Sequence, residues 1–548
     1  MRRSRLAAAL AALALPLVAA RPSAAKPPTV SALFPPGAQR GTTATVEAAG
    51  SFDHWPAKSW VDGDGLTVAA AEKKGTLTIT VAEDARPGVH WIRLYDQDGA
   101  ASLRPFVVGA LPETTEREPN DDPREPQKIE GTSAVVNGRL QKRGDVDGFA
   151  VELKAGAVLT ADVQANRPLG SPMDGVLQIV SPDGFVLAQN DDDGGRLDPR
   201  IVFEAPADGS YVVRVFAFPA TPDSSIAFAG GDAYIYRLTL TAGGFVDRAF
   251  PLAVAAGGAS EVAAVGPNVP DSGPDSKLAV PAGDEPGRVV LAGPALAGTV
   301  EVRRVAGPTL VEAEPNGVDQ PQALADLATV SGRIDPPGDR DVYRIALKKD
   351  DARIFRLESR GFGLPLDAVL VVLDADGKAL AEQDDAGAAA DPTLKFDAKA
   401  DGEYRVVVRD LHGRGGPRFA YLLSVVRPTP DFALTLAADV FEATPGKESK
   451  IAVAVERRDG FAGEIEVRAL DLPEGVEAAA VVSKPGDDSA KTVNLEIKAA
   501  ADAPAGPFRV VGRVKDGDGR DRPARAKLAG LDADTERPWL TVLPVPKS

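Results

Sequence analysis

The chain has 548 residues, with 62 Lys and Arg against 79 Asp and Glu for a formal charge of −17, no cysteine, two methionines and three histidines. At roughly 100–200 residues per domain this length predicts several separately cored domains. Without Cys, disulfide staples, thiolate zinc sites, cysteine nucleophiles and iron–sulfur centres are excluded, and the acidic balance argues against nucleic-acid binding.

Residues 1–25 place Arg2, Arg3 and Arg5 ahead of an apolar run from Leu6 to Ala20, and the small Ser23 and Ala25 suit cleavage after Ala25. The segment reads as a secretory signal peptide, with an uncleaved anchor as the other reading. Its removal takes away four arginines and shifts the formal charge from −17 to −21. No later stretch approaches 18 uncharged apolar residues, so the expected product is secreted, periplasmic or on the cell surface, with no membrane span after cleavage.

Beyond residue 25 short apolar runs alternate with polar residues, as at 76–81 (TLTITV), 211–216 (YVVRVF), 236–241 (YRLTLT) and 404–409 (YRVVVR). Period-two alternation puts one face of a strand inward and the other outward, as in packed antiparallel sheets. Asp-Gly pairs at Asp98, Asp147, Asp183, Asp208, Asp376, Asp401 and Asp459 supply tight-turn conformations between such runs. The expected fold class is all-β, built from tandem β-sandwich domains.

The chain repeats itself at a nearly constant offset. Glu118-Pro-Asn120 recurs as Glu314-Pro-Asn316, offset 196, and Gly144-Asp-Val-Asp147 recurs as Gly338-Asp-Arg-Asp341, offset 194. Asp183-Gly184, Asp191-Asp192 and Asp208-Gly-Ser-Tyr211 recur at offset 193. Independent turns would not keep this register, so 113–243 and 309–427 read as a duplicated sandwich. A smaller β module is expected before each, at 28–109 and 245–306, with related openings at Leu33-Phe34-Pro35 and Ala249-Phe250-Pro251. A last β-sandwich is expected over 428–545.

Each repeat opens on alternating acids: Glu116, Glu118, Asn120 and Asp121 in the first, Glu312, Glu314 and Asn316 in the second. An Asp-x-Asp pair follows, Asp145 and Asp147 or Asp339 and Asp341. Alternating side chains of an extended segment face the same way, so Glu116, Glu118 and Asn120 are expected to share a face with the Asp pair. Such a set of hard oxygen ligands suits Ca²⁺, and its mutual repulsion is costly unless a cation sits among the carboxylates. The second copy has Gly317 where the first has Asp121, one ligand fewer. Asp183, Asp208, Asp376 and Asp401 read as turn residues; the loops Asp191-Asp192-Asp193 and Asp384-Asp385 are further cation candidates.

These residues resemble a known family. Glu-Pro-Asn-Asp (118–121), Gly-Asp-Val-Asp-Gly-Phe (144–149), the run 183–192 and Ala-Asp-Gly-Ser-Tyr-Val-Val-Arg-Val (207–215) look like a bacterial pre-peptidase C-terminal (PPC) domain. The second copy matches through 314–316, 338–343, 376–385 and 400–408. The resemblance implies jelly-roll-like sandwiches appended to secreted proteases and collagenases, calcium on the opening Glu/Asn segment and the Asp pair, and an accessory role in substrate binding or secretion. Residues 28–109 look like an Ig-like IPT/TIG module, 245–306 and 428–545 read as further Ig-like modules, and the whole resembles secreted multidomain proteins of planctomycete-type bacteria.

The chain departs from that family in lacking a peptidase domain: it has neither a Gly-x-Ser-x-Gly elbow nor a His-Glu-x-x-His pair. His54 and His90 are expected to pack on Trp55 and Trp91, and His412 to lie in a Gly-rich loop. Trp55 and Trp60 read as core residues of the first module, with a sugar-stacking platform as the other reading. Tyr234 and Tyr236 share a strand face and are candidates for ligand contact. The expected function is that of an exported, non-catalytic, calcium-stabilised protein binding an extracellular protein or polysaccharide, or serving a secreted peptidase. A secreted hydrolase using paired carboxylates and a structural envelope or matrix spacer stay open as alternatives.

Overall fold

A computed structural model describes residues 26–221, 227–385, 390–515 and 517–544. The segment 1–25, five residues of the loop after Pro219 and the last residue of 428–545 lie outside the described residues. Strands make up 51% of the described residues and helix 3%, so the protein is all-β, as the period-two alternation implies. No helix among the described residues is long and apolar enough to cross a membrane.

Five main apolar cores lie along the chain. Around the first, the sheet of Thr29–Phe34, Thr43–Ser51, Thr76–Val81 and Leu66–Ala70 faces that of Gly37–Gln39, Arg104–Gly109, Gly88–Tyr95 and Lys58–Asp62.

The two repeats share one strand order. In the first, one sheet runs Gln127–Lys128, Asp147–Leu153, Gly209–Pro219, Met173–Val180, Val186–Asn190. The other runs Arg200–Glu204, Val158–Gln164, Ile235–Thr241, Ser133–Arg139, Glu113–Thr115. The second copy reproduces both, from Gln322–Ala323 to Ala379–Gln383 and from Thr393–Asp397 to Thr309–Val311. The inward stripe Phe149, Val151, Leu153 and its counterpart Tyr343, Ile345, Leu347 are fully or nearly fully buried. Asp147 and Asp341 stand at the head of these stripes, so the same alternation that builds the core carries a carboxylate into it.

The modules pack against one another. Arg237 reaches back to the Val107 carbonyl at 2.8 Å while bonded to Glu113 at 2.7 Å. Asp193 and Asp247 are bridged by Arg200 and Arg418, which ties both repeats to the small module between them. The first and last modules also touch: the fully buried Arg93 pairs with Asp439 at 2.8 Å, and Trp60 and Tyr95 pack on Trp539 at 5.8 and 4.5 Å between ring centroids.

Candidate metal centres

Thr115 is the last residue of its strand, but the Glu116 amide still donates to the Asn137 carbonyl at 3.0 Å, holding the acidic segment beside the sheet. The chain then turns through a cis Glu118–Pro119 bond, and the Gly148 amide donates to the Asn120 carbonyl at 3.1 Å. These anchors turn Glu116 and Asn120 inward, 7% and 1% exposed, and leave Glu118 and Asp121 at the rim. The single extended face expected from alternation is therefore replaced by a turn with buried and exposed ligands. Extended geometry is lost where the ladder ends, and the backbone bonds of the turn decide which side chains point in.

Asp145 and Asp147 complete the cluster. Glu118, Asp121, Asp145 and Asp147 each bring a carboxylate oxygen within 4.8 Å of the others, and Glu116 lies against Asp147. One oxygen of each buried acid is held: Arg139 N–H donates to Glu116 at 2.8 Å, Gln141 N–H to Asp145, and the Tyr236 hydroxyl to Asp147. The other oxygens, Glu116 Oε1, Asp145 Oδ1 and Asp147 Oδ1, have no hydrogen-bond partner, and neither has either amide atom of Asn120. Buried polar atoms are ordinarily paired, so this convergence of orphaned oxygens is a cradle for a cation. Lys142 reaches in from solvent, its Nζ 3.7 Å from Asp121 and 3.8 Å from Asp145.

The second copy repeats the arrangement. Glu314, Asp339 and Asp341 cluster within 4.8 Å, Glu312 lies against Asp341, and Glu312 Oε2, Asp341 Oδ1 and both amide atoms of Asn316 lack partners. Burial pushes Asp147 up to about 10 and Asp341 up to about 9, reinforced in each by the neighbouring glutamate. Glu116 and Glu312 are each pushed up to about 7, again mainly by burial. The donor sets are oxygen throughout, with no nitrogen or sulfur, which fits a hard cation. Both clusters have the residues to hold a metal ion.

No family model matches the chain. Over 99 residues, 18% of this chain and 14% of the other, it is 38% identical to a probable subtilase-type serine protease of Deinococcus radiodurans, so it spans a small part of that protein's length. Among solved structures it is similar to a periplasmic inhibitor of g-type lysozyme from Aeromonas hydrophila, at 16% identity over 24% of this chain and 96% of that one, TM-score 0.16. It is also similar to elastase-activated Escherichia coli alpha-2-macroglobulin, at 12% identity over 94% and 53%, TM-score 0.14. With TM-scores this low, neither likeness bears on function.

Two supporting pairs have no motif in the sequence. Tyr236 and Tyr421 stand on the sheet opposite Asp147 and Asp341, so their hydroxyls bond across the sandwich, the latter at 2.6 Å. Each ring lies over its cross-strand partner glycine; a Cβ on Gly138 would sit 2.1 Å from the Tyr236 ring and one on Gly332 2.3 Å from that of Tyr421. Tyr236 is thus buried rather than available for ligand contact, and Tyr234 packs half-buried on the same core. The second site adds Tyr343, whose hydroxyl is 2.6 Å from that of Tyr421, where the first has Phe149.

The other acidic loops behave differently. Asp193 is bonded to Arg418 at 2.7 and 2.9 Å, so it joins modules rather than offering a cation site. Asp208 and Asp401 accept backbone N–H groups of facing turns at 2.8 and 2.7 Å, in keeping with their turn reading. Trp55 packs on Phe52 in the first core, whereas Trp60 lies against the last module. The histidines do not converge: His54 pairs with Asp98, His90 with the Arg86 carbonyl and His412 with Asp367. A hydrogen bond holds His90, while the contact of His54 is with the Asp98 carboxylate.

Proposed function

We propose that the protein is an exported, non-catalytic binding or accessory protein whose duplicated PPC-type sandwiches each hold a Ca²⁺ ion. The observation that carries this is the matched set of unpartnered buried oxygens at the mouths of both repeats. Glu116, Glu118, Asn120, Asp121, Asp145 and Asp147 would hold the first ion, and Glu312, Glu314, Asn316, Asp339 and Asp341 the second. The ion would neutralise carboxylates that otherwise repel one another and knit the opening segment to the Asp-bearing strand. An extracellular location would supply the calcium, and the likeness to part of a subtilase-type protease supports a peptidase-associated setting. Contact between the first and last modules favours a compact body that binds an extracellular protein or polysaccharide over an extended spacer. The test is thermal unfolding of the full chain in EDTA and in millimolar calcium. An ion that binds only the folded state adds RT ln(1 + [Ca²⁺]/Kd), so a hundredfold excess over Kd is worth about 2.7 kcal/mol per site. Equal melting temperatures would overturn the proposal.

A further inference from the structure

The two acidic clusters differ at their rims. The first has Asp121 and Lys142; at the equivalent positions the second has Gly317 and Pro336. Both members of an opposite-charge pair are thus present in one copy and absent from the other. With every acid ionised, the first cluster holds five carboxylates, Glu116, Glu118, Asp121, Asp145 and Asp147, and the second four, Glu312, Glu314, Asp339 and Asp341. Lys142 therefore brings the first cluster to the net charge of the second.

The turn that carries Lys142 is tied to the cluster. Gln141 N–H donates to the Asp145 carboxylate, and Asp145 N–H donates to the Lys142 carbonyl at 3.2 Å. The Lys142 Nζ stands 3.7 Å from Asp121 and 3.8 Å from Asp145 Oδ1, the buried oxygen that has no hydrogen-bond partner. Burial pushes Glu118 and Asp145 up, and the Lys142 charge pulls both back. Yet the side chain is 69% exposed, a point charge on a flexible four-carbon stem, so it can swing into water without disturbing the core. The second cluster has no such group. Among the described residues no Lys or Arg forms an ion pair with Glu312, Glu314, Asp339 or Asp341, and Arg333, whose charge reaches Glu312, is turned to Asp335 at 3.2 Å.

A cation entering the first cradle must take over Asp121 and Asp145, the two carboxylates that the ammonium faces, and like charges at this range repel. We propose that Lys142 is a tethered counter-ion of the first cluster, steadying it when empty and competing with Ca²⁺ for Asp121 and Asp145, while the second cluster binds without a competitor. This inference rests on the calcium reading of the clusters and adds how one of them is tuned. One exposed ammonium–carboxylate pair is worth up to about a fivefold factor in an equilibrium constant, so losing two such contacts changes calcium affinity about three- to tenfold.

The test is calorimetric titration of the chelator-stripped full chain with calcium chloride, in the wild type and in an Asp341→Asn parent whose second cluster is weakened so that the first dominates the signal. In that parent, Lys142→Gln and Lys142→Met should each tighten binding about three- to tenfold at low salt, Lys142→Arg should leave it as it was, and the gain should shrink as sodium chloride is raised. In EDTA the two neutral variants should melt below their parent, opposite in sign to their effect on calcium binding; a side chain that only packs would move both in the same direction. Calcium affinity that is unchanged or weakened in both neutral variants, while the parent binds calcium, would overturn this proposal alone. A wild type and a parent that both bind no calcium would overturn the calcium reading and this proposal with it.

Discussion

Replacing Asp147 by Asn should stabilise the metal-free protein and reduce its response to calcium, leaving the contribution of the second site intact. Asp147 is fully buried, accepts the Tyr236 hydroxyl on one oxygen and has no donor for the other. Burial and the adjacent Glu116 hold its carboxyl up at about 10, whereas in an unfolded chain it ionises near 3.9. The unfolded chain releases this proton first, so between about pH 4 and pH 7 the fold binds more protons and its stability falls as pH rises. At about 1.4 kcal/mol per pH unit, the cost reaches about 4 kcal/mol at pH 7 as an upper bound. Asn still accepts from Tyr236 and takes up no proton, so the variant escapes that cost. With calcium the sign reverses, because a charged ligand is gone; a tenfold weaker Kd removes about 1.4 kcal/mol of the stabilisation. Scanning calorimetry at pH 7, in EDTA and in calcium, reads both effects. A variant that melts below wild type in EDTA, or gains as much from calcium, refutes the reasoning.

In EDTA the wild type should lose stability as pH rises from about 4.5 towards 7, because Glu116 and Glu312 stay protonated in the fold after the unfolded chain has ionised. Saturating calcium should flatten that slope, and a level profile in EDTA would contradict the burial of these groups. Gly138→Ala drives a Cβ into the Tyr236 ring and should cost about 1–3 kcal/mol, read as a lower urea midpoint. Asp439→Ala leaves the fully buried Arg93 unpaired, at a cost of about 3–5 kcal/mol, and should let the first and last modules part. Small-angle scattering should then report a larger radius of gyration; unchanged scattering would mean that the other contacts, the Trp539 stack, Leu103 with Leu528 and Leu531, and Arg537 with Asp62, hold the modules.

The all-β architecture was legible because strand alternation is a local signal, repeated at 76–81, 211–216, 236–241 and 404–409. The acidic clusters were legible as sets because duplication presented the same residues twice at a constant offset. Their internal geometry was not. Which of Glu116, Glu118 and Asn120 faces inward depends on a turn anchored by Asn137 and Gly148, more than twenty residues away. Tyr236 reads from the sequence as a ligand contact and Tyr421 carries no signal, because their roles depend on cross-strand register with Gly138 and Gly332, roughly ninety to a hundred residues distant. Trp60 departs from its core reading for a related reason: its partner, Trp539, sits at the other end of the chain, and no periodicity encodes a contact between modules. Asp193 likewise shows its purpose only once Arg418 is beside it.

The meeting of the first and last modules has a mechanical consequence. Arg93–Asp439 and the stack on Trp539 join sandwiches that are separated along the chain by three others. A pull applied across the two end sandwiches therefore strains this one seam before it unravels any sheet. Inserting further sandwiches between them would add girth without adding reach, because the distance between the outermost pair is set by the seam. As tethers such chains are short; as clasps they are strong only while that seam stays shut.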